Sequence, residues 1–553
     1  MIAAMTEQNL AEPIHSPGRM PNVVVTLLLW VLAGLVMVGC ARLASASRTQ
    51  EARVLETARE MLGRPFDAWM IPHTNGEIRL HKPPLAYWTS AGAFKLFGVS
   101  AWVGRFPAAL TGWLTLGVTY LIARRLFNPM TALFAAGALL GSYTFAKFSL
   151  LAETDILATL FVTAGVYCVL RAVEGGRAIL WQHLLAICMA LAVLAKGPPA
   201  AYVPLFYVVL CLLRRDSRPL LWFVLSGAIV TFLVIAAPWF LYVINRVGAH
   251  QLMDDLRNSA EGGKGHAGLP HVYVPMFALS VAPWIGMWAV GGAAAVRHVW
   301  RRLRPWQGMD SIATLLLWGL IIVLPLMGWG NKQIHYLLPL MPPTMILVGY
   351  AIAGAVDGKG RFHDLARIVL AVTAGVMLLI PLVPPIIARL SLDPPEVRQL
   401  DWLACGLLII AAAAAFFAMR RFGRLGVAGA AVAMSVVVMV TVAFEGRVIE
   451  KWPNERLAEE MLRVHPDGHF VMRGEPSLPL CFAMRRTIPT LGDMGLAARV
   501  VDDKNLVCLE HDDVEPKSPA PVAFIEEGRI GHKKQPGQKE EWLRVFVPIK
   551  LPQ

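Results

Sequence analysis

Apolar residues run along this chain in stretches long enough to cross a membrane, which takes about 20 mostly apolar residues per helix. Such runs lie near 22–43, 103–122, 129–148, 152–172, 179–196, 198–213 and 220–243. Six more lie near 272–296, 311–329, 336–355, 364–388, 402–419 and 424–444, so the pattern predicts about thirteen spanning helices. The connections alternate in character. With residues 1–21 cytoplasmic, one side has only short basic loops: Arg124-Arg125, Arg171 with Arg177, Arg214-Arg215-Arg218, Arg297 with Arg301-Arg302-Arg304, Lys359 with Arg361, and Arg420-Arg421-Arg424. An excess of Lys and Arg marks cytoplasmic loops. The opposite side is then extracytoplasmic and, after an odd number of spans, holds the C-terminus.

Two segments on that outer side are long. Residues 44–101 show helical periodicity around Glu51–Leu62 and then become rich in Pro and aromatic residues. Residues 445–553 are polar, with strand-like runs at Val522–Ile525 and Leu543–Val547, and are long enough for a small domain. The expected fold is a polar cytoplasmic N-terminus (1–21), an all-α polytopic membrane domain (22–444) and a small α/β extracytoplasmic domain (445–553). The first apolar run ends Val38-Gly39-Cys40, a near match to a lipoprotein signal. The polar lead-in and the later spans favour an uncleaved first helix instead.

Composition agrees. Hydrophobic residues make up 56% of the chain and charged residues 16%, against about 25% charged in soluble domains. A net charge of +13 would suggest nucleic acid in a soluble protein. Here the basic residues sit in short loops facing anionic lipid, and no basic, aromatic-rich module remains, so a nucleic-acid partner is not expected. Five cysteines, Cys40, Cys168, Cys188, Cys211 and Cys405, fall in apolar runs without metal-ligand spacing. Cys481 and Cys508 both lie in the C-terminal segment and can pair if that segment is oxidised, a pairing the sequence leaves open.

The unusual polar residues collect on one side. Glu51, Arg53, Lys82, Asp155, Lys196, Arg257, His266, Lys332, His335 and Tyr336 all fall outside or at outer helix ends. Unrelated accidents would scatter over both faces, so a single site at the water–lipid boundary is expected, where ionisable groups are costly and functional by default. Glu51 can serve as a base for an acceptor hydroxyl, or simply pair with Arg53 at a helix start. Lys82, beside Pro83-Pro84, is a rigidly presented cation suited to a phosphate leaving group, or a lysine snorkelling to headgroups. Asp155 and its neighbour Glu153 can be cavity carboxylates or helix N-terminal acids favoured by the dipole. Lys196-Gly197-Pro198-Pro199 reads as a hairpin turn or a lipid-phosphate contact. Arg53, His81, His266 and His335 are candidate acceptor or metal contacts. A divalent cation is left open, because anionic phosphates often recruit one.

These residues carry a resemblance. The first-loop helix Glu51-Ala52-Arg53-Val54, the stretch Asn75-Gly76-Glu77 followed by Lys82-Pro83-Pro84-Leu85 and Tyr87-Trp88, Thr154-Asp155, Lys196-Gly197-Pro198, Pro238-Trp239, and Lys332 with Tyr336-Leu337-Leu338-Pro339 occur in this order. In that pattern, over about 48–345, the chain resembles the superfamily of dolichyl-phosphate-mannose–protein mannosyltransferases and aminoarabinose lipid A transferases (glycosyltransferase families 39 and 83), membrane enzymes of the GT-C fold. The resemblance implies about a dozen spanning helices, juxtamembrane helices in the first outer loop and a periplasmic C-terminal domain in a bacterial inner membrane. It also implies inverting transfer of a sugar from a polyprenyl-phosphate donor to a glycolipid or protein acceptor among membrane lipids. Glu51 and Asp155 become the catalytic candidates, and Lys82, Lys196, Arg257, Lys332 and Tyr336 the contacts to donor phosphate or lipid.

Two positions depart from the family pattern. Gln50 stands where an acid usually precedes Glu51, and His81 replaces a more usual acidic or polar residue before Lys82-Pro83. If the first acid is the base, Glu51 or Asp155 must substitute for it. A transporter or flippase of lipid-linked sugars, or a non-catalytic binder of them, would share many of these features. A transporter should also show midplane charges and symmetry between halves, and neither is evident.

Overall fold

A computed structural model describes residues 23–42, 48–175, 178–261, 269–302, 308–357, 361–377, 406, 409, 413, 434–443, 454–473, 477–491, 505–512, 524–532 and 541–548. The chain enters through α1 (Val23–Ala41) and then builds the first long loop from α2 (Thr49–Met61), α3 (Phe66–Met70), β1 (His73–Thr74), β2 (Glu77–Ile78) and α4 (Leu85–Phe97). β1 and β2 pair antiparallel with Thr74 opposite Glu77. Asn75 and Gly76 take φ of 53° and 83° between them, the left-handed pair that a two-residue hairpin turn requires.

The bundle continues through α5 (Ala101–Leu126), α6 (Pro129–Leu140), α7 (Tyr143–Ser149), α8 (Thr154–Ala172), α9 (Ala178–Lys196), α10 (Tyr202–Arg214), α11 (Arg218–Leu225), α12 (Ala228–Val247) and α13 (Ala249–Glu261). It then runs through α14 (Tyr273–Val281), α15 (Ile285–Arg302), α16 (Ser311–Gly328), α17 (Met341–Asp357), α18 (Arg361–Met377) and α19 (Met434–Ala443). α8 packs between α5 and α9, and α17 lies against α6. α17 is almost wholly buried, whereas α12 turns Val230, Leu233, Val234 and Leu241 outward. Such apolar faces are stable in hydrocarbon, where the intrahelical ladder satisfies every backbone group.

Among the described residues, six helices are long and apolar enough to cross a membrane, or up to eight if each bent pair is one span. Two expected spans are broken. The run 129–148 bends by 67° between α6 and α7, and the run 272–296 bends by 112° between α14 and α15. Hydropathy averages over such a break, so it reads two short helices as one. The run 198–213 yields α10, only 13 residues long after a 3-10 turn at Pro198–Ala201. Nearly all of 402–419, and the parts of 364–388 and 424–444 beyond α18 and α19, lie outside the described residues.

A C-terminal unit follows, with α20 (Asn454–Val464), β3 (His469–Arg473), α21 (Leu478–Met484), β4 (Leu506–Asp512), β5 (Phe524–His532) and β6 (Glu541–Pro548). Its sheet runs β3-β4-β6-β5, with β3 and β4 parallel and the other pairs antiparallel. Phe470, Met472, Leu480, Val507, Leu509 and Val545 form its core. The expected α/β character is present. Cys481 and Cys508 are buried thiols rather than a disulfide, contrary to the pairing considered from sequence. The unit docks on the first loop: Asn75 Nδ2 donates to Ile488 O at 2.8 Å, and Ile488 N donates to Asn75 Oδ1 at 2.9 Å.

Candidate active site

The polar residues converge on the short extended segment that starts α8. Leu151–Glu153 are not helical, and Glu153, at φ −127° and ψ 159°, is the N-cap of α8 without a capping side-chain bond. Four consecutive residues here each meet a different side chain. The Ala152 N–H donates to Glu51 Oε1 at 3.0 Å. Glu153 Oε1 lies 3.3 Å from Arg48 Nε. Thr154 Oγ1 accepts from Lys82 Nζ at 3.3 Å and donates to Asp155 Oδ2 at 3.3 Å. Asp155 Oδ1 is ion-paired with Lys196. The chain thus draws α2, the residue before it, the loop preceding α4 and the end of α9 to one point.

Local sequence explains how Lys196 arrives there. Gly197 takes φ 82°, which only glycine adopts at no steric cost, so the chain turns directly after the lysine and leaves it at the end of α9. Its ammonium lies 4.4 Å from the centroid of the Tyr336 ring, a cation–π contact. Tyr336 and His335 stand edge to face at 4.8 Å, and His335 packs on Phe148 at 5.6 Å. The Arg48 guanidinium covers the same Phe148 ring at 5.4 Å.

Arg48, Lys82 and Lys196 therefore carry three positive charges against the two carboxylates Glu153 and Asp155, at the positive end of the α8 dipole. A helix N-terminus with cations beside it favours a phosphate or another anion. Glu153 is 4% exposed. Burial pushes its carboxyl up to about 7; Asp155 and Glu51 add to the rise, while Arg48 and Lys82 oppose it. On the other side of Lys82, burial lowers His81 below the usual imidazole range, helped by Arg79, Arg53 and Lys82 and opposed by Asp255.

Not every expected residue faces this point with a group to spare. Glu51 is 0% exposed and its two oxygens are held by Arg105, which is equally buried. Its carboxylate fixes α2 to α5 and to Ala152 and has no lone pair turned to solvent. Lys332 is also spent internally: its ammonium donates to the carbonyls of Leu326 (3.0 Å), Met327 (3.1 Å) and Trp329. It caps the C-terminal carbonyls of α16, as cations near helix ends do. Arg53 is half-buried on α2, His81 is half-buried before Lys82, and Arg257 is exposed on α13. His266 lies outside the described residues. Among the described residues, no three His, Cys, Asp or Glu side chains stand together in a way that could hold a metal ion.

A family model described as dolichyl-phosphate-mannose-protein mannosyltransferase matches residues 81–242, which include Lys82, Asp155 and Lys196. An undecaprenyl phosphate-alpha-4-amino-4-deoxy-L-arabinose arabinosyl transferase 2 of Proteus mirabilis is 26% identical over 65% of each chain. An uncharacterized Aquifex aeolicus protein is 35% identical over 35% of this chain and 38% of its own. The chain thus spans between about two fifths and two thirds of these relatives. In three dimensions it superposes on ArnT from Cupriavidus metallidurans in the apo state with a TM-score of 0.74, 20% identity and coverage of 94% of this chain and 97% of the other. The undecaprenyl phosphate-bound form of that protein gives the same TM-score at 19% identity, covering 95% and 98%. In fold and in these stretches of sequence the chain is similar to membrane glycosyltransferases of the GT-C superfamily.

Sequence reasoning passed over two residues that the site uses. Arg105, a lone arginine inside an apolar run, carried a signal, since a charge at membrane depth needs a partner. Arg48 carried none, because it sits in a polar stretch between the first span and α2.

Proposed function

We propose that this chain transfers a sugar of the amino-arabinose type from an undecaprenyl-phosphate donor to a lipid A-type glycolipid on the periplasmic face of the bacterial inner membrane. The observation that carries this reading is the gathering of Lys82, Lys196 and Arg48 around the N-terminus of α8, in a fold it has in common with a protein solved with undecaprenyl phosphate. Such a cluster suits a lipid phosphate at the boundary of the bundle. The relatives named for arabinosyl transfer support the sugar and acceptor classes, and the short basic loops support the orientation.

In this reading the donor phosphate sits against Lys82 and Lys196, with the Tyr336 ring beneath the Lys196 ammonium. The cations offset the charge that grows on the phosphate as the glycosidic bond breaks, which is where preorganised electrostatics contribute most. Asp155 positions Lys196, and Thr154 links Lys82 to Asp155. Glu51 acts as a positioning group that anchors the α8 segment through Ala152, with Arg105 as its counter-ion. The acceptor oxygen attacks the anomeric carbon in a single in-line step, which inverts the configuration. Residues 445–553 are the outer domain in this reading, and their described part is attached through Asn75 and Ile488 to the loop that carries Lys82.

The test is mass spectrometry of envelope glycolipids from cells lacking the chain, complemented with wild type or with Lys82→Gln. A sugar-sized mass that disappears on deletion and returns only with wild type, at equal protein levels, supports the assignment. An unchanged glycolipid profile in all three strains sinks the lipid A acceptor. It would favour a protein acceptor, which the mannosyltransferase family description suggests.

A further inference from the structure

Three carboxylates meet at the start of α8, and in two of them both oxygens are hydrogen-bonded. Glu51 gives Oε1 to Arg105 Nε and the Ala152 N–H, and Oε2 to Arg105 Nη2. Asp155 gives Oδ1 to Lys196 and Oδ2 to Thr154. Glu153 differs. Its Oε1 is 3.3 Å from Arg48 Nε, yet this buried atom accepts no hydrogen bond. The Arg48 side chain that lies beside it is 37% exposed, so its guanidinium can be displaced by an incoming polar group without unmaking the packed core. A buried carboxylate oxygen with an open lone pair is a costly feature, and each such group in a folded protein calls for an explanation.

We infer that Glu153 is the group that takes the proton from the acceptor during transfer. The inference rests on the proposed glycosyl transfer. The acceptor oxygen bonds to the anomeric carbon while the bond from that carbon to the phosphate oxygen breaks. The electron pair of the broken bond leaves on the lipid phosphate beside Lys82 and Lys196, and the acceptor's proton passes to the Glu153 carboxylate and afterwards to water. No oxidant or further reactant is needed. The groups that face Glu153 are Arg48 from the residue before α2, Glu51 from α2, Lys82 from the loop before α4, and Asp155 from α8 itself. A base that holds protons near neutrality is well matched to this task, and the raised affinity of this carboxyl for protons agrees with it.

The experiment uses the full-length protein purified in detergent, with undecaprenyl phosphate-4-amino-4-deoxy-L-arabinose as donor and lipid A as acceptor. Wild type, Glu153→Gln and Glu153→Asp are compared between pH 5.5 and 8.5, and binding of undecaprenyl phosphate is measured for each. The amide keeps the shape of the side chain and removes its basicity. The expected result is a fall in kcat of roughly 100-fold or more for Glu153→Gln, at unchanged undecaprenyl phosphate affinity. The wild-type rate should rise with pH up to about 7, and this limb should vanish in the Gln variant. Glu153→Asp should retain part of the activity with the limb displaced. A Glu153→Gln protein within about threefold of wild type and showing the same pH limb overturns the inference, as does a rate loss matched by an equal loss of donor affinity. Wild type that transfers nothing overturns the function beneath it, whatever the variants do.

Discussion

Arg105 closes on Glu51 through two parallel hydrogen bonds, Nε to Oε1 at 2.7 Å and Nη2 to Oε2 at 2.8 Å, with both side chains fully buried. The pair lies between α5 and α2, and the same carboxylate holds the Ala152 N–H. A buried pair gains little over a well-packed apolar pair, but removing one partner strands a charge at a cost of about 3–5 kcal/mol. Glu51→Ala and Arg105→Ala should each lower thermal stability in detergent by that order. The double variant Glu51→Leu/Arg105→Leu should recover much of the loss. If the two single variants are as stable as wild type, the anchoring role is wrong.

Lysines at the helix ends around the candidate site should separate into two kinds. Lys82 donates to one hydroxyl, that of Thr154, whereas Lys332 donates to three carbonyls at the end of α16. Lys82→Gln should therefore weaken undecaprenyl phosphate binding by about tenfold or more, the scale of one charge-assisted hydrogen bond, with little change in stability. Lys332→Met should do the reverse, leaving affinity intact and costing about 1–3 kcal/mol of stability through unsatisfied carbonyls. Isothermal titration and thermal unfolding on the same preparations would distinguish them. A Lys332→Met protein of normal stability that fails to bind would return that lysine to the donor site.

Both lysines looked alike in sequence, and the reason is physical. Hydropathy and charge place a residue on a side of the membrane and at a helix end. They do not report which backbone carbonyls or side chains converge there. The membrane class, the α/β character of the C-terminal segment and the clustering of Lys82, Asp155, Lys196 and Tyr336 were legible because each depends on local pattern and topology. The occupation of Glu51 by Arg105, 54 residues away, was not, because long-range pairing leaves no periodic trace. The bends inside 129–148 and 272–296 were equally hidden, since an apolar run continues through a break when neighbouring helices satisfy the freed backbone.

The contact between Asn75 and Ile488 predicts coupling between the C-terminal unit and the first loop. Asn75 bonds both the N–H and the carbonyl of Ile488, and Arg59 and Arg485 reinforce the junction through the carbonyls of Arg485 and Val99 at 3.2 Å. Asn75→Ala removes both bonds and places alanine at φ 53°, where asparagine is better tolerated. The expected cost at this junction is about 2 kcal/mol from the two bonds. Hydrogen exchange should rise in 73–78 and 485–491 together, while α8 and α9 keep their protection. Increased exchange in only one of the two segments would mean that they are not coupled.

Glu153 predicts an unusual pH dependence of stability, and its sign differs from that of an ordinary ion-paired acid. Burial pushes its carboxyl up to about 7 in the folded protein, against 4.5 for the free side chain. Between those values the folded state binds the proton that the unfolded state has released, so the unfolded state binds fewer and stability falls as pH rises. Below about 4.5 both states are protonated and the group has no effect; above about 7 the full penalty of holding a buried anion is present. A shift of this size corresponds to roughly 3 kcal/mol. Glu153→Gln, which keeps the shape but carries no charge, should therefore match wild type near pH 4.5 and become progressively more stable than it up to pH 7.5. Unfolding midpoints of the two proteins across that range would decide the matter. Parallel curves, or a variant less stable at high pH, would mean that Arg48 and Lys82 compensate the Glu153 charge fully and that the carboxyl is an ordinary partner of Arg48.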